Sequence, residues 1–119
     1  MKLDIVTLQG IAMAEISSEK TEIADVDTAL DLIGNCSYLG ASVILMRMEN
    51  ITPAFFDLKT GIAGEILQKF STYGMKLAII GDFSTYSSKS LQDFIRESNR
   101  MGRIRFAGSM EEAKAAFVK

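Results

Sequence analysis

Two uninterrupted apolar runs, Val43-Ile44-Leu45-Met46 and Leu77-Ala78-Ile79-Ile80, decide most of what this chain can fold into. A strand that is apolar at every position must be covered on both faces, the situation of interior strands in parallel sheets. Between the runs, Ile62, Ile66 and Phe70 recur every four residues with Ala63 and Leu67 beside them. A stripe of that period packs a helix on a sheet. Strand, helix, strand in this order is a parallel unit joined by a right-handed crossover.

The flanks extend the pattern. Leu3 to Leu8 and Ile11 to Ile16, separated by Gln9-Gly10, read as a β-hairpin with a tight turn. Asp25 and Asp27 are candidate caps for a helix carrying Ala29, Leu30, Leu32 and Ile33, which fades near Asn35 before a stop at Tyr38-Leu39-Gly40. Thr52-Pro53 is a helix-start signal. A short turn through Phe55-Phe56 precedes a main helix from Leu58 to about Thr72, closed by Tyr73-Gly74. Ser87 or Ser88 caps a third helix with Leu91, Phe94 and Ile95 inward and Gly102 as its stop. Ile104 to Ala107 alternates like a short edge strand. Ser109-Met110-Glu111-Glu112 reads as a capping box, Ser and Glu each satisfying the other's backbone donor, and opens a last helix to about Phe117. The sum is one α/β domain over residues 1–119. It is a mixed sheet of about five strands with four helices mainly on one face and the first and last strands at the margins.

Composition removes several function classes. Histidine is absent, which takes away the usual neutral-pH proton shuttle and the commonest metal ligand. Ser-His-Asp and Cys-His catalysis are excluded with it. No metal, cofactor or catalytic set is expected. The formal charge of -2 gives no bulk drive toward nucleic acid. No apolar run approaches the roughly 20 residues that span a bilayer, and Asp4 interrupts the N-terminal stretch where a signal peptide would be apolar. The single cysteine, Cys36, permits no internal disulfide and fits a reducing cytoplasm. Met13, Met46 and Met75 read as core filler.

The segment Asp57-Leu58-Lys59-Thr60-Gly61-Ile62-Ala63-Gly64-Glu65 links the first buried strand to the main helix. A hydroxyl followed by glycine at a helix start, just past the carboxyl end of a strand, is where α/β domains hold phosphate groups or regulatory contacts. Lys59, Thr60 and Gly61 are therefore a candidate phosphoacceptor or anion site. The alternative is an ordinary N-terminal turn with threonine as its cap.

The chain order, with Asp-x-x-Thr-Gly opening the second helix, resembles the STAS (SpoIIAA-like) domain, an anti-sigma-factor antagonist fold. In that family an Asp-Ser-Ser-Gly turn starts the second helix and its second serine is phosphorylated. The resemblance implies that Thr60-Gly61 stands where Ser-Gly stands, one residue further from Asp57. The strings Phe56-Asp57-Leu58-Lys59-Thr60-Gly61-Ile62-Ala63-Gly64-Glu65-Ile66-Leu67-Gln68-Lys69-Phe70 and Glu97-Ser98-Asn99-Arg100 also resemble a family of bacterial proteins described only as a domain of unknown function. That likeness implies a compact cytoplasmic protein and carries no activity.

Other residues fall around the same corner. Gly61 and Gly64 within a helix each cost about 1 kcal/mol relative to alanine. They imply close approach by a partner or ligand, or packing against the Phe55-Phe56 turn. Glu65, Gln68 and Lys69 lie off the apolar stripe, as a docking surface or a solvated face. Asp82 follows a strand end, near Asp57, as a partner contact or a loop cap. Arg96, Arg100, Arg103 and Arg105 concentrate four of five arginines at the pole opposite Thr60, a basic patch for which salt bridges are the plain explanation.

The reading that follows is a regulatory protein-protein interaction module using Asp57, Gly64, Glu65, Gln68, Lys69 and Asp82, controlled at Thr60. A homodimer through an edge strand or the glycine-bearing helix face is compatible with it. The alternative is a small-ligand or lipid carrier with Phe55, Phe56 and Phe83 lining an apolar rim. An enzyme using the two carboxylates ranks last.

Overall fold

The N-terminal hairpin forms as the alternation requires. In the computed structural model, which describes residues 1–118, β1 (Lys2–Leu8) and β2 (Ile11–Ser17) pair antiparallel with Leu8 opposite Ile11. Gln9 and Gly10 both take positive φ, 50° and 79°, the primed turn whose twist matches its strands. Next come β3 (Val43–Arg47), β4 (Lys76–Ile80) and β5 (Ile104–Ala107), each parallel to its predecessor. Spatial order equals chain order, so β1 and β5 are the margins of one five-stranded mixed sheet.

That order also decides where the helices go. Three crossovers advance in one direction across the sheet, and right-handed crossovers of one direction place their helices on one face. Buried residues of α1 (Val26–Tyr38), α2 (Ile62–Thr72) and α3 (Lys89–Met101) accordingly share a core with Ile44, Met46, Leu77 and Ile79. The alternate residues Val43, Leu45, Ala78 and Ile80 point to the other face. There α4 (Met110–Ala115), which is not a crossover, covers them through Ala113. Met13, Met46 and Met75 are all buried, as core filler should be.

Four local details differ from the sequence expectation. First, α1 continues past Asn35 to Tyr38, because Cys36 extends the buried stripe of Ala29, Leu32 and Ile33 by another turn. Second, the main helix begins at Ile62, not Leu58. Residues Leu58–Thr60 form a separate 3-10 turn, and Gly61 at φ 76° breaks the continuity. Third, the reciprocal capping box sits at α1. There the Thr28 amide donates to Asp25 Oδ1 at 2.9 Å and the Asp25 amide donates to Thr28 Oγ1 at 3.1 Å. At α4, Ser109 caps as expected, but the Glu112 carboxylate accepts from the Gly108 amide instead of that of Ser109. Fourth, α4 ends at Ala115, short of Phe117. No helix among the described residues is long and apolar enough to cross a membrane.

Candidate functional site

The Thr60 corner is built by short-range hydrogen bonds. Asp57 Oδ1 accepts from the Lys59 amide at 3.2 Å and fixes the turn. The Thr60 hydroxyl faces the carbonyls of Ala54 at 2.7 Å and Asp57 at 2.9 Å, and its oxygen accepts from the Ile62 amide at 3.3 Å. One side chain thus ties the Pro53–Phe56 turn to the first residue of α2. Thr60 and Lys59 are solvent-exposed, and Lys59 pairs with no carboxylate among the described residues. Asp57, Lys59 and Phe56 line a rim depression of about 580 Å3 with Pro53 and Tyr86.

Gly61 and Gly64 do not serve the same purpose. Gly61 lies outside the helix in the left-handed region, which glycine enters at no steric cost. Gly64 is helical and exposed, and a Cβ built on it meets nothing within 4 Å. The expected packing of these glycines against the Phe55-Phe56 turn is therefore absent. Gly64 instead opens onto a groove of about 330 Å3 between α2 and α3, lined by Leu67, Gln68 and Ser71 on one side and Phe94, Glu97 and Met101 on the other. Ile104 and Arg103, at the start of β5, close its end. The lining is mainly apolar, and Met101 on the rim is 71% exposed.

The remaining candidates divide. Gln68 joins Gly64 in the groove, whereas Glu65 and Lys69 lie on α2 outside its lining. Asp82 lines neither depression. Its Oδ1 accepts from the Ser84 amide at 3.0 Å and the Ser84 hydroxyl at 2.6 Å, bonds that hold its carboxyl below the usual carboxylate range. It is a turn cap of the same design as Asp57. Phe55 is fully buried, and Phe56 and Phe83 pack into a chain of rings with Tyr86, Phe106 and Phe94. These aromatic groups fill the core under the rim.

The arginine cluster splits in half. Arg96 pairs with Asp93 at 3.0 Å and Arg100 pairs with Glu97, both along α3. Arg103 and Arg105 have no carboxylate partner among the described residues, so salt bridging accounts for only two of the four. Arg100, Arg103 and Arg105 lie at the pole opposite Thr60, at the end of α3 and the start of β5, whereas Arg96 sits midway along α3 and Thr60 follows the end of β3.

Two features escaped sequence reasoning. The groove depends on how far α3 stands from α2, and Leu67 and Phe94 read only as sheet-facing. Asn50, 1% exposed, donates through Nδ2 to the carbonyls of Ser18 at 3.0 Å and Lys20 at 2.9 Å. An asparagine in a polar stretch gives no sign of this long-range clamp.

No curated protein and no solved structure matches the chain. A family model described as a domain of unknown function, DUF4180, matches residues 8–117, a span holding every element of the groove and the Thr60 corner. The chain belongs to the DUF4180 family.

Proposed function

We propose that this protein is a regulatory protein-protein interaction module of the cytoplasm, STAS-like in fold, that receives an apolar segment of another protein in the groove between α2 and α3. Gly64 carries the reading. A helical glycine costs about 1 kcal/mol relative to alanine. No turn and no contact within the chain requires this one. What it keeps is the open space above Leu67 and Phe94, and that space suits an inserted side chain.

Thr60 supplies the control in this reading. A phosphoryl group on Oγ1 replaces the proton that faces the Ala54 and Asp57 carbonyls and brings nearly two negative charges against them. The corner opens at the first turn of α2, the helix that walls the groove. The hairpin-first chain order supports the STAS-like reading. The lone free thiol of Cys36 supports the cytoplasmic one.

Affinity capture from source cells, with wild type, Gly64→Leu and Thr60→Glu as baits, tests the reading. Gly64→Leu fills the groove without touching the core. It is expected to keep its Tm and lose the partner, and Thr60→Glu to change the partner's yield. Capture of the same partner in the same yield by a folded Gly64→Leu bait overturns the groove as the docking site.

A further inference from the structure

We propose that Lys76, Arg103 and Arg105 form a binding site for a phosphate group, at the pole where the parallel strands begin. The three side chains line one depression of about 340 Å3 with Gly102, Ala116 and Phe117. The register explains their meeting. Leu77 stands opposite Ile104, so Lys76 neighbours Arg103, and Arg105 lies opposite Ala78, whose side chain faces α4.

None of the three cations is neutralised by a carboxylate of the described residues. Lys76 Nζ and the Arg105 guanidinium carbon stand 6.0 and 5.9 Å from the centroid of the same ring, Phe117. Two like charges are thus gathered on one aromatic group with no carboxylate of the described residues to offset their repulsion. The Arg105 guanidinium also lies across Gly102, where a built Cβ would come within 3.2 Å of Nη2. Its Nε is buried with no acceptor among the described residues. A buried donor without a partner is costly, and here it belongs to a guanidinium held in place by glycine and phenylalanine. An oxyanion seated in the depression completes the arrangement. Three cations match a phosphate dianion better than a single carboxylate, and the guanidinium forks suit its oxygens.

The surroundings favour the same charge. The turns at this pole span residues 8–12, 35–43, 69–77, 99–105 and 115–118, and they contain no aspartate or glutamate. Their charged side chains are Lys69, Lys76, Arg100, Arg103 and Arg105. Glu97 offsets Arg100, and the remaining cations of these turns give a positive field that steers anions toward the depression.

Soluble phosphate esters and lipid headgroups present the same group to these cations, and one experiment separates the two sources. Amide and arginine side-chain NMR spectra of the full chain are followed during titration with inorganic phosphate, pyrophosphate and glycerol phosphate, against chloride at matched ionic strength. Sedimentation is measured in parallel with phosphatidylcholine vesicles, with and without phosphatidic acid. Saturable shifts at Gly102, Arg103 and Arg105 are expected. Lys76→Gln, at the surface, should weaken binding about tenfold with an unchanged Tm, and Arg103→Gln, whose half-buried guanidinium also donates to the Met75 carbonyl at 3.3 Å, should weaken it as much, with its Tm measured alongside. A response to soluble phosphates alone assigns a soluble ligand. Sedimentation only with phosphatidic acid, lost in the same variants, assigns a lipid headgroup. The proposal is overturned if no phosphate gives a saturable shift and no vesicle sediments the protein. It is equally overturned if binding survives both glutamine variants.

Discussion

The hydroxyl of Thr60 lies 2.7 Å from the carbonyl of Ala54, six residues earlier in the chain. This bond closes the loop between β3 and α2, and the Ile62 amide donates to the same oxygen. Thr60→Val keeps the shape and removes the hydrogen-bonding group. It should lower stability by about 1 kcal/mol in urea unfolding, while Thr60→Ser stays within a few tenths of wild type. Equal stability of the valine and serine variants would mean that the hydroxyl holds nothing together.

Three glycines give a test with opposite signs. Gly34 and Gly64 are helical, and a Cβ on either meets nothing within 4 Å. Alanine at each should raise stability by roughly 0.5–1 kcal/mol, because it restricts the unfolded chain and adds no clash. Gly61 has the same empty surroundings but φ 76°. Gly61→Ala should lower stability by about 1 kcal/mol. Thermal unfolding of the three variants checks the signs, and a stabilised Gly61→Ala would contradict the left-handed break before α2.

How much of this was legible follows from period and order. The buried strands announce themselves as Val43–Met46 and Leu77–Ile80 because every side chain there is apolar. The helix stripes of Ile62, Ile66 and Phe70 follow from spacing alone. The break at Gly61 was missed because Leu58 fits the same four-residue spacing, and spacing carries neither the left-handed backbone of Gly61 nor the Thr60 bond to Ala54 that turn the chain there. The groove was missed because it lies between residues some thirty positions apart, Gly64 and Phe94, and exists only as the gap between two packed helices. That Arg103 and Arg105 have no carboxylate partner among the described residues was missed for a related reason. Sequence gives the proximity of acids along one helix, such as Glu97 to Arg100, but not their absence across strands.

Cys36 predicts an alkaline limb. Burial pushes its thiol from an ordinary value of 9.0 up to about 11. The folded state thus holds the proton more tightly than the unfolded chain. The resulting stability is fully present below pH 9 and is lost as pH rises through about 11, at a slope near 1.4 kcal/mol per pH unit. Cys36→Ala lacks this term. Its stability deficit relative to wild type, a cavity cost of about 1 kcal/mol, should shrink over that range. A deficit that stays constant from neutral pH to pH 11 would show that the thiol ionises equally in both states.

Asn50 offers the sharpest single-residue test of the loop between β2 and α1. Its side-chain amide donates to Ser18 and Lys20, and its backbone carbonyl accepts from Glu22 at 2.7 Å and Ile23 at 3.0 Å. Asn50→Ala keeps the backbone bonds and removes the side-chain donors, at a cost of about 1–2 kcal/mol. Asn50→Asp is nearly the same size but turns a carboxylate toward two carbonyl oxygens in a buried position. Burial and repulsion both disfavour its charged form, so its folded pKa should rise above the unfolded value. The aspartate variant should therefore be less stable than the alanine variant at neutral pH, by roughly 1–3 kcal/mol. It should recover toward alanine as the solution is acidified and the carboxyl becomes a donor again. Urea unfolding of both variants at neutral and mildly acidic pH measures this crossover. Parallel curves for the two substitutions would show that the Asn50 amide is not what holds Ser18 and Lys20 in place.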